Sequence, residues 1–196
     1  SSALADRFGR RRVFLLGIFV FTASSAWCGI SDNIGTLITA RTLQGIGGSA
    51  VMPLSLALLS TSVPERMRAT AIGIWGGVAG LGVALGPLIG GAVVEGMTWH
   101  AIFWINVPFG LLCIPLVWFT IPESRGRPEP LDFPGLALVG IGLFGITYGI
   151  VRGNDAGWTS LEVLTALIGG VFVLVSFIWW ESRATAPLLP LRLFSN

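Results

Sequence analysis

Six long apolar runs constrain this chain more than any other feature. They cover residues 13–30, 37–59, 71–94, 102–121, 133–151 and 161–180. Crossing a hydrocarbon core of about 30 Å takes roughly 20 apolar residues in a helix, because the helix alone satisfies every backbone group along a single segment. Between the runs lie short stretches rich in Gly, Pro, Asp, Glu and Arg, where helices end. The expected fold is an all-α membrane protein with six transmembrane helices. A β-barrel would show segments of about ten residues with alternating hydrophobicity, and Val171-Phe172-Val173-Leu174-Val175 has no such alternation. The first run is read as a span and not as a signal peptide, since five more like it follow.

Composition agrees with that reading. Of 196 residues, 53% are hydrophobic and 11% charged, whereas soluble domains carry roughly 25% charged residues. The length allows one domain or two small ones, which excludes a large multidomain enzyme. Twelve basic residues, all Arg, stand against ten acids for a net charge of +2. That balance leaves no footprint for nucleic acid; the expected surroundings are a lipid bilayer. Cys28 and Cys113 both lie in apolar runs, where a thiol behaves as a small hydrophobe, so neither a disulfide nor a metal site is expected.

Arginine placement gives an orientation. Arg7, Arg10, Arg11 and Arg12 precede the first run, Arg66 and Arg68 follow the second, Arg125 and Arg127 the fourth, and Arg183 and Arg192 the sixth. The opposite loops, 31–36, 95–101 and 152–160, hold only Arg152. Short cytoplasmic loops collect Lys and Arg, so both ends of the chain are expected in the cytoplasm and the protein in the cell membrane. Asp132 followed by Pro134 reads as the cap and first turn of the fifth helix.

Three features inside the runs invite interpretation. Gly82, Gly86 and Gly90 recur every fourth residue in the third run, with Gly76 and Gly80 as a further pair, and Pro87 among them removes a backbone hydrogen bond and should bend the helix. Small residues let helices approach closely in lipid, so this face reads either as a packing groove or as part of a bent gating helix. Arg41 lies inside the second run, with Gln44 and Gly45 on its face. A charge there costs several kcal/mol unless it snorkels to the interface or finds a partner; the alternatives are snorkelling and function. No carboxylate lies deep in any run to pair with it. His100, beside Trp99, reads as interfacial, and Trp99, Trp104, Trp158, Trp179 and Trp180 fall near run ends as anchors do. No phosphate loop, zinc spacing or nucleophile triad is visible, so no enzymatic chemistry and no cofactor is expected.

These motifs resemble the major facilitator superfamily, most closely its fourteen-helix drug/proton antiporter branch. The opening Ser2-Ala3-Leu4-Ala5-Asp6-Arg7-Phe8-Gly9-Arg10-Arg11-Arg12 is similar to the loop signature G-x-L-A-D-R-x-G-R-[KR] that joins the second and third helices, with Ser2 where the pattern has Gly. Leu37-Ile38-Thr39-Ala40-Arg41-Thr42-Leu43-Gln44-Gly45-Ile46-Gly47-Gly48 resembles the fourth-helix motif, whose arginine is implicated in proton coupling. Gly82-Val83-Ala84-Leu85-Gly86-Pro87-Leu88-Ile89-Gly90-Gly91 matches the fifth-helix antiporter signature G-x-x-x-G-P-x-x-G-G, and Trp104-Ile105-Asn106-Val107-Pro108 is also similar to this branch.

The resemblance implies a partial major facilitator fold covering helices three to eight of a longer transporter. Residues 1–121 would be four helices of the amino-terminal bundle, 122–134 a cytoplasmic loop, 135–180 an extra helix pair, and 181–196 a cytoplasmic connection to a further helix. It also implies a proton-coupled multidrug efflux antiporter, working by alternating access on small lipophilic or cationic substrates and powered by the proton gradient. Asp6, Arg7, Gly9, Arg10 and Arg11 would then form a cytoplasmic gate, Arg41 and Gln44 would take part in proton coupling, and Gly82, Gly86, Pro87, Gly90 and Gly91 would form a bendable interface. Two other readings stand beside it: an exporter of a metabolite or siderophore within the same superfamily, and a six-helix membrane subunit that does not transport.

Overall fold

A computed structural model describes residues 2–126, 132–181 and 183. Among them all regular structure is helical: α1 (Ser2–Phe8), α2 (Arg10–Gly29), α3 (Ile34–Ser62), a 3-10 turn (Glu65–Met67), α4 (Arg68–Gly96), α5 (Ala101–Thr120), α6 (Phe133–Ala156) and α7 (Leu161–Glu181). The six helices α2 to α7 are each long and apolar enough to cross a membrane, as the six runs require. The expected connection 181–196 lies outside the described residues apart from 181 and 183, as do residues 127–131 of the loop before α6.

Helix boundaries differ from the runs in an instructive way. Hydropathy finds the lipid-facing centre, whereas caps set the ends. Asn33 starts α3 three residues before the second run: its side chain accepts a hydrogen bond from Thr36 N at 2.9 Å, which satisfies one of the free amides of a helix start. The 29 residues of α3 span about 43 Å at 1.5 Å per residue, more than the hydrocarbon core. Asp132 caps α6 by accepting from Gly135 N at 3.0 Å, with Pro134 in the first turn, as the sequence indicates. The stretch before the first run, read as a loop, is instead the helix α1, and it ends where Gly9 adopts φ 106°, a left-handed conformation that glycine enters without steric cost.

The chain divides into two compact units, residues 1–128 and 129–196. In the first, α2 is the central helix, packing most extensively on α3 and next on α5. One buried cluster joins Ala5, Phe14, Leu15, Ile18, Leu54, Leu58 and Val117; a second, nearer the other end of α2, joins Cys28, Ala40 and Phe103. The α2–α3 crossing is backbone against backbone: a Cβ on Gly47 would lie 2.7 Å from Phe21 N and 2.8 Å from Gly17 O. Glycine is what permits that approach.

Helix α4 behaves differently. None of its residues is buried; of the half-buried ones, Ala71, Trp75, Ala79, Gly90 and Val93, the first three form a stripe along one face. The face carrying Gly82, Gly86, Gly90 and Gly91 meets no described atom, since a Cβ at any of the four would have nothing within 4 Å. The packing groove expected there is therefore unfilled among the described residues; α4 leans on α3 and α5 through another stripe.

The second unit is a helical hairpin, α6 against α7, turned at Gly157 with φ 86°. Among the described residues, six of its eight buried positions recur every seventh residue, Gly135, Gly142 and Gly149 on α6 and Val163, Gly170 and Phe177 on α7, with Gly153 and Glu181 each one turn beyond. A heptad recurrence keeps two helices face to face along a left-handed seam. Here the seam is closed enough that a Cβ on Gly170 would lie 2.8 Å from Ile146 N and 2.9 Å from Gly142 O.

Candidate functional site

Two polar constellations stand out in the first unit, one at each end of α2. At the arginine-rich end, Asp6 on α1 pairs with Arg10 on α2 across the Gly9 break, Nε to Oδ1 at 2.6 Å. Glu123, just beyond α5, closes the arrangement. Its Oε1 accepts from the Arg11 backbone N–H at 3.0 Å, and Ser124 O accepts from Arg10 N at 2.9 Å. A carboxylate thus sits on the free amides at the start of α2, where the helix dipole favours negative charge. Arg11 returns the interaction: its Nη1 donates to Ile121 O at 3.1 Å and Trp118 O at 3.3 Å, the unpaired carbonyls at the end of α5, with its guanidinium over the Trp118 ring at 5.1 Å. Glu123 Oε2 faces Arg11 Nε at 3.9 Å and Arg12 Nε at 3.6 Å.

Gly9 is required here twice over. Besides its φ, a Cβ would lie 2.8 Å from the Glu123 carboxyl group. Gly126 is pressed in the same way against Asp6. Of the five residues the motif brings forward, Asp6, Gly9, Arg10 and Arg11 belong to one cluster, while Arg7 is exposed and turned to the Phe8 ring, 5.6 Å from its centroid. Sequence reasoning missed Glu123. The available signal was its place immediately after the helix-ending Pro122, in a loop on the same side as the arginines.

The second constellation surrounds Arg41, which the capped start of α3 places about two turns into the helix. Its Nη1 donates to Gln44 Oε1 at 2.9 Å. Gln44 is buried and donates onward through Nε2 to Ser25 Oγ on α2. On its other side the guanidinium lies 5.0 Å from the ring centroid of Phe103, on α5. Of the four ion pairs among the described residues, none includes Arg41. The first turn of α5 is itself pinned: Trp104 Nε1 donates to Gly29 O at 3.1 Å, and His100 Nε2 meets Ser31 O at 3.1 Å. Sequence reasoning placed Arg41 and Gln44 together but had no means of finding Phe103.

Between α2, α3, α4 and α5 opens a cleft of about 520 Å³, lined chiefly by apolar groups including Phe21, Met52, Trp75 and Phe109, with Thr22 and Asn106 among the polar ones. Trp75 Nε1 donates to Ser55 Oγ at 3.2 Å across it.

Relatives put these features in context. The chain is 38% identical over 98% of its length to an MFS-type transporter of Mycobacterium tuberculosis. It is 39% identical over 98% to the tetracenomycin C resistance and export protein of Streptomyces glaucescens, and 37% identical over its full length to the multidrug resistance protein Stp of M. tuberculosis. It spans 33%, 36% and 37% of those proteins respectively, so it corresponds to about a third of each. Residues 1–191 match the Major Facilitator Superfamily, and the chain belongs to that superfamily.

Proposed function

We propose that this chain is the helix-three-to-eight portion of a proton-coupled efflux antiporter in the cell membrane that exports small lipophilic or cationic compounds by alternating access, with no catalytic or cofactor chemistry of its own. The observation that carries this is Arg41: a guanidinium two turns inside a membrane-spanning helix, held by an amide and an aromatic ring, with its charge uncancelled by any described carboxylate. Such a charge is costly to keep unless it is used. It raises the energy of a nearby cation or proton and lowers that of a carboxylate, so protonation of an acid brought beside it changes which conformation is preferred. Resistance and export proteins among the relatives support the direction of transport.

Asp6, Gly9, Arg10, Arg11 and Glu123 then serve as a cytoplasmic clasp between the start of α2 and the end of α5. The glycines around Pro87, open on one face of α4, serve as a contact for a moving bundle. Ten of the twelve arginines fall at or beyond the ends of the apolar runs on one side, which supports a topology with both chain ends in the cytoplasm.

The test uses everted membrane vesicles containing the full-length protein, with ethidium as probe. Arg41→Ala is expected to abolish proton-driven ethidium movement while abundance in the membrane stays normal. Undiminished movement overturns the role of Arg41. A dedicated exporter of one metabolite is the second reading, favoured by the relative named for tetracenomycin C; proton-driven transport of a single compound with ethidium refused would establish it.

A further inference from the structure

We propose that Phe103 is a positioning residue for Arg41: its ring is a fixed platform that holds the guanidinium in its working orientation without neutralising it. The inference rests on the transport reading above and adds a residue to it. Three observations carry it. Arg41 lies over the Phe103 ring at 5.0 Å, within the range where the ring quadrupole attracts a cation. The ring cannot drift, because Phe103 is only 8% exposed and packs with Cys28 and Ala40. Trp99 meets its edge at 6.0 Å and 87° and is itself stacked on His100 at 3.7 Å. Finally, the first turn of α5, which carries the platform, is fastened to the end of α2 through Trp104 with Gly29 and His100 with Ser31.

The chemistry of the pair gives the arrangement its point. A carboxylate at this position would hold Arg41 more tightly, but it would cancel the charge and compete with any acid approaching from elsewhere. An amide oxygen from Gln44 and an aromatic face from Phe103 fix direction instead, and neither carries a countercharge. Arg41 is thereby triangulated by α2, through Ser25 and Gln44, and by α5, through Phe103. A shift of α5 relative to α2 would reorient the guanidinium, which links helix movement to the electrostatics of the site.

The test has two readouts on one series of variants at residue 103. In the full-length protein in lipid nanodiscs, labelled with ¹⁵N-arginine, the Arg41 Nε–H resonance is expected upfield because of the Phe103 ring current. It should stay upfield in Phe103→Tyr and move to the ordinary arginine position in Phe103→Leu, with the remaining arginine resonances unmoved. Fluorinated phenylalanines at residue 103 keep size and burial but progressively weaken the ring quadrupole. In vesicles of the full-length protein they should slow proton-driven ethidium movement stepwise, reaching roughly three- to tenfold. An Arg41 resonance indifferent to Phe103→Leu, or transport indifferent to fluorination, overturns the platform and leaves the transport reading standing. Undiminished transport by Arg41→Ala overturns both.

Discussion

Glu123 shows what a single carboxylate contributes when it meets a helix start and two guanidinium groups together. Its Oε1 is bonded to the Arg11 amide, whereas Oε2 stands only at ion-pair distance from Arg11 and Arg12. A partly exposed ion pair is worth about 0–1 kcal/mol, but an amide left without an acceptor costs about 1–3 kcal/mol. Glu123→Ala should therefore lower stability by about 1–3 kcal/mol, and Glu123→Gln, which keeps an acceptor, by less than about 1 kcal/mol. Thermal unfolding of the detergent-solubilised chain separates the two; equal losses would show that charge, not capping, is what matters. At this scale the sequence was legible only where partners are close in the chain. Asp6 with Arg10 and Arg41 with Gln44 are four and three residues apart in the chain, whereas Glu123 reaches Arg11 over a separation of 112 residues and Phe103 reaches Arg41 from another helix. No periodicity encodes such contacts.

For helices, the chain marks where lipid is crossed far better than which faces meet. All six spans follow from hydropathy, and Asp132 and Pro134 announce the start of α6. The glycines are harder, because an identical residue serves opposite ends. The conspicuous four-residue stripe on α4 faces open space, while close backbone-to-backbone approaches fall at Gly47, against α2, and at Gly170, against α6. Substitution should expose the difference. Gly47→Ala drives a methyl group into the backbone of α2 and is expected to cost about 1–3 kcal/mol by overpacking, as is Gly170→Ala at the α6–α7 seam. Gly86→Ala in the same 196-residue chain has room for its methyl group and should be neutral or raise stability by about 0.5–1 kcal/mol, since alanine favours a helix interior. Unfolding of the three variants in one detergent checks the ranking. A destabilising Gly86→Ala would mean that the face is filled in solution by another copy of the chain.

At the scale of the whole chain, the two compact units each bury their own seam, and the placement of charge bears on how the chain crosses the membrane. The loop regions around residues 66–68 and 125, and the start of α2, carry the arginines, and the turns at 31–33, 97–100 and 157–160 carry none. Moving any of the arginine-rich loops across the bilayer would carry several guanidinium groups through hydrocarbon, and the bias acts through short loops such as these. The proposed orientation is therefore open to direct test by cysteine labelling in intact cells. Cys28 is buried and Cys113 exposed, so a Cys113→Ala background comes first. Single cysteines at Asp32, Thr98 and Gly157 should react with a membrane-impermeant maleimide from outside, and cysteines at Arg66 and Arg125 only after permeabilisation. The opposite pattern would invert the chain. The clasp of Asp6, Arg10, Arg11 and Glu123 would then face the exterior, Arg41 would approach the membrane from the cytoplasmic side, and the gate assigned to the arginine-rich end would have to act on external access.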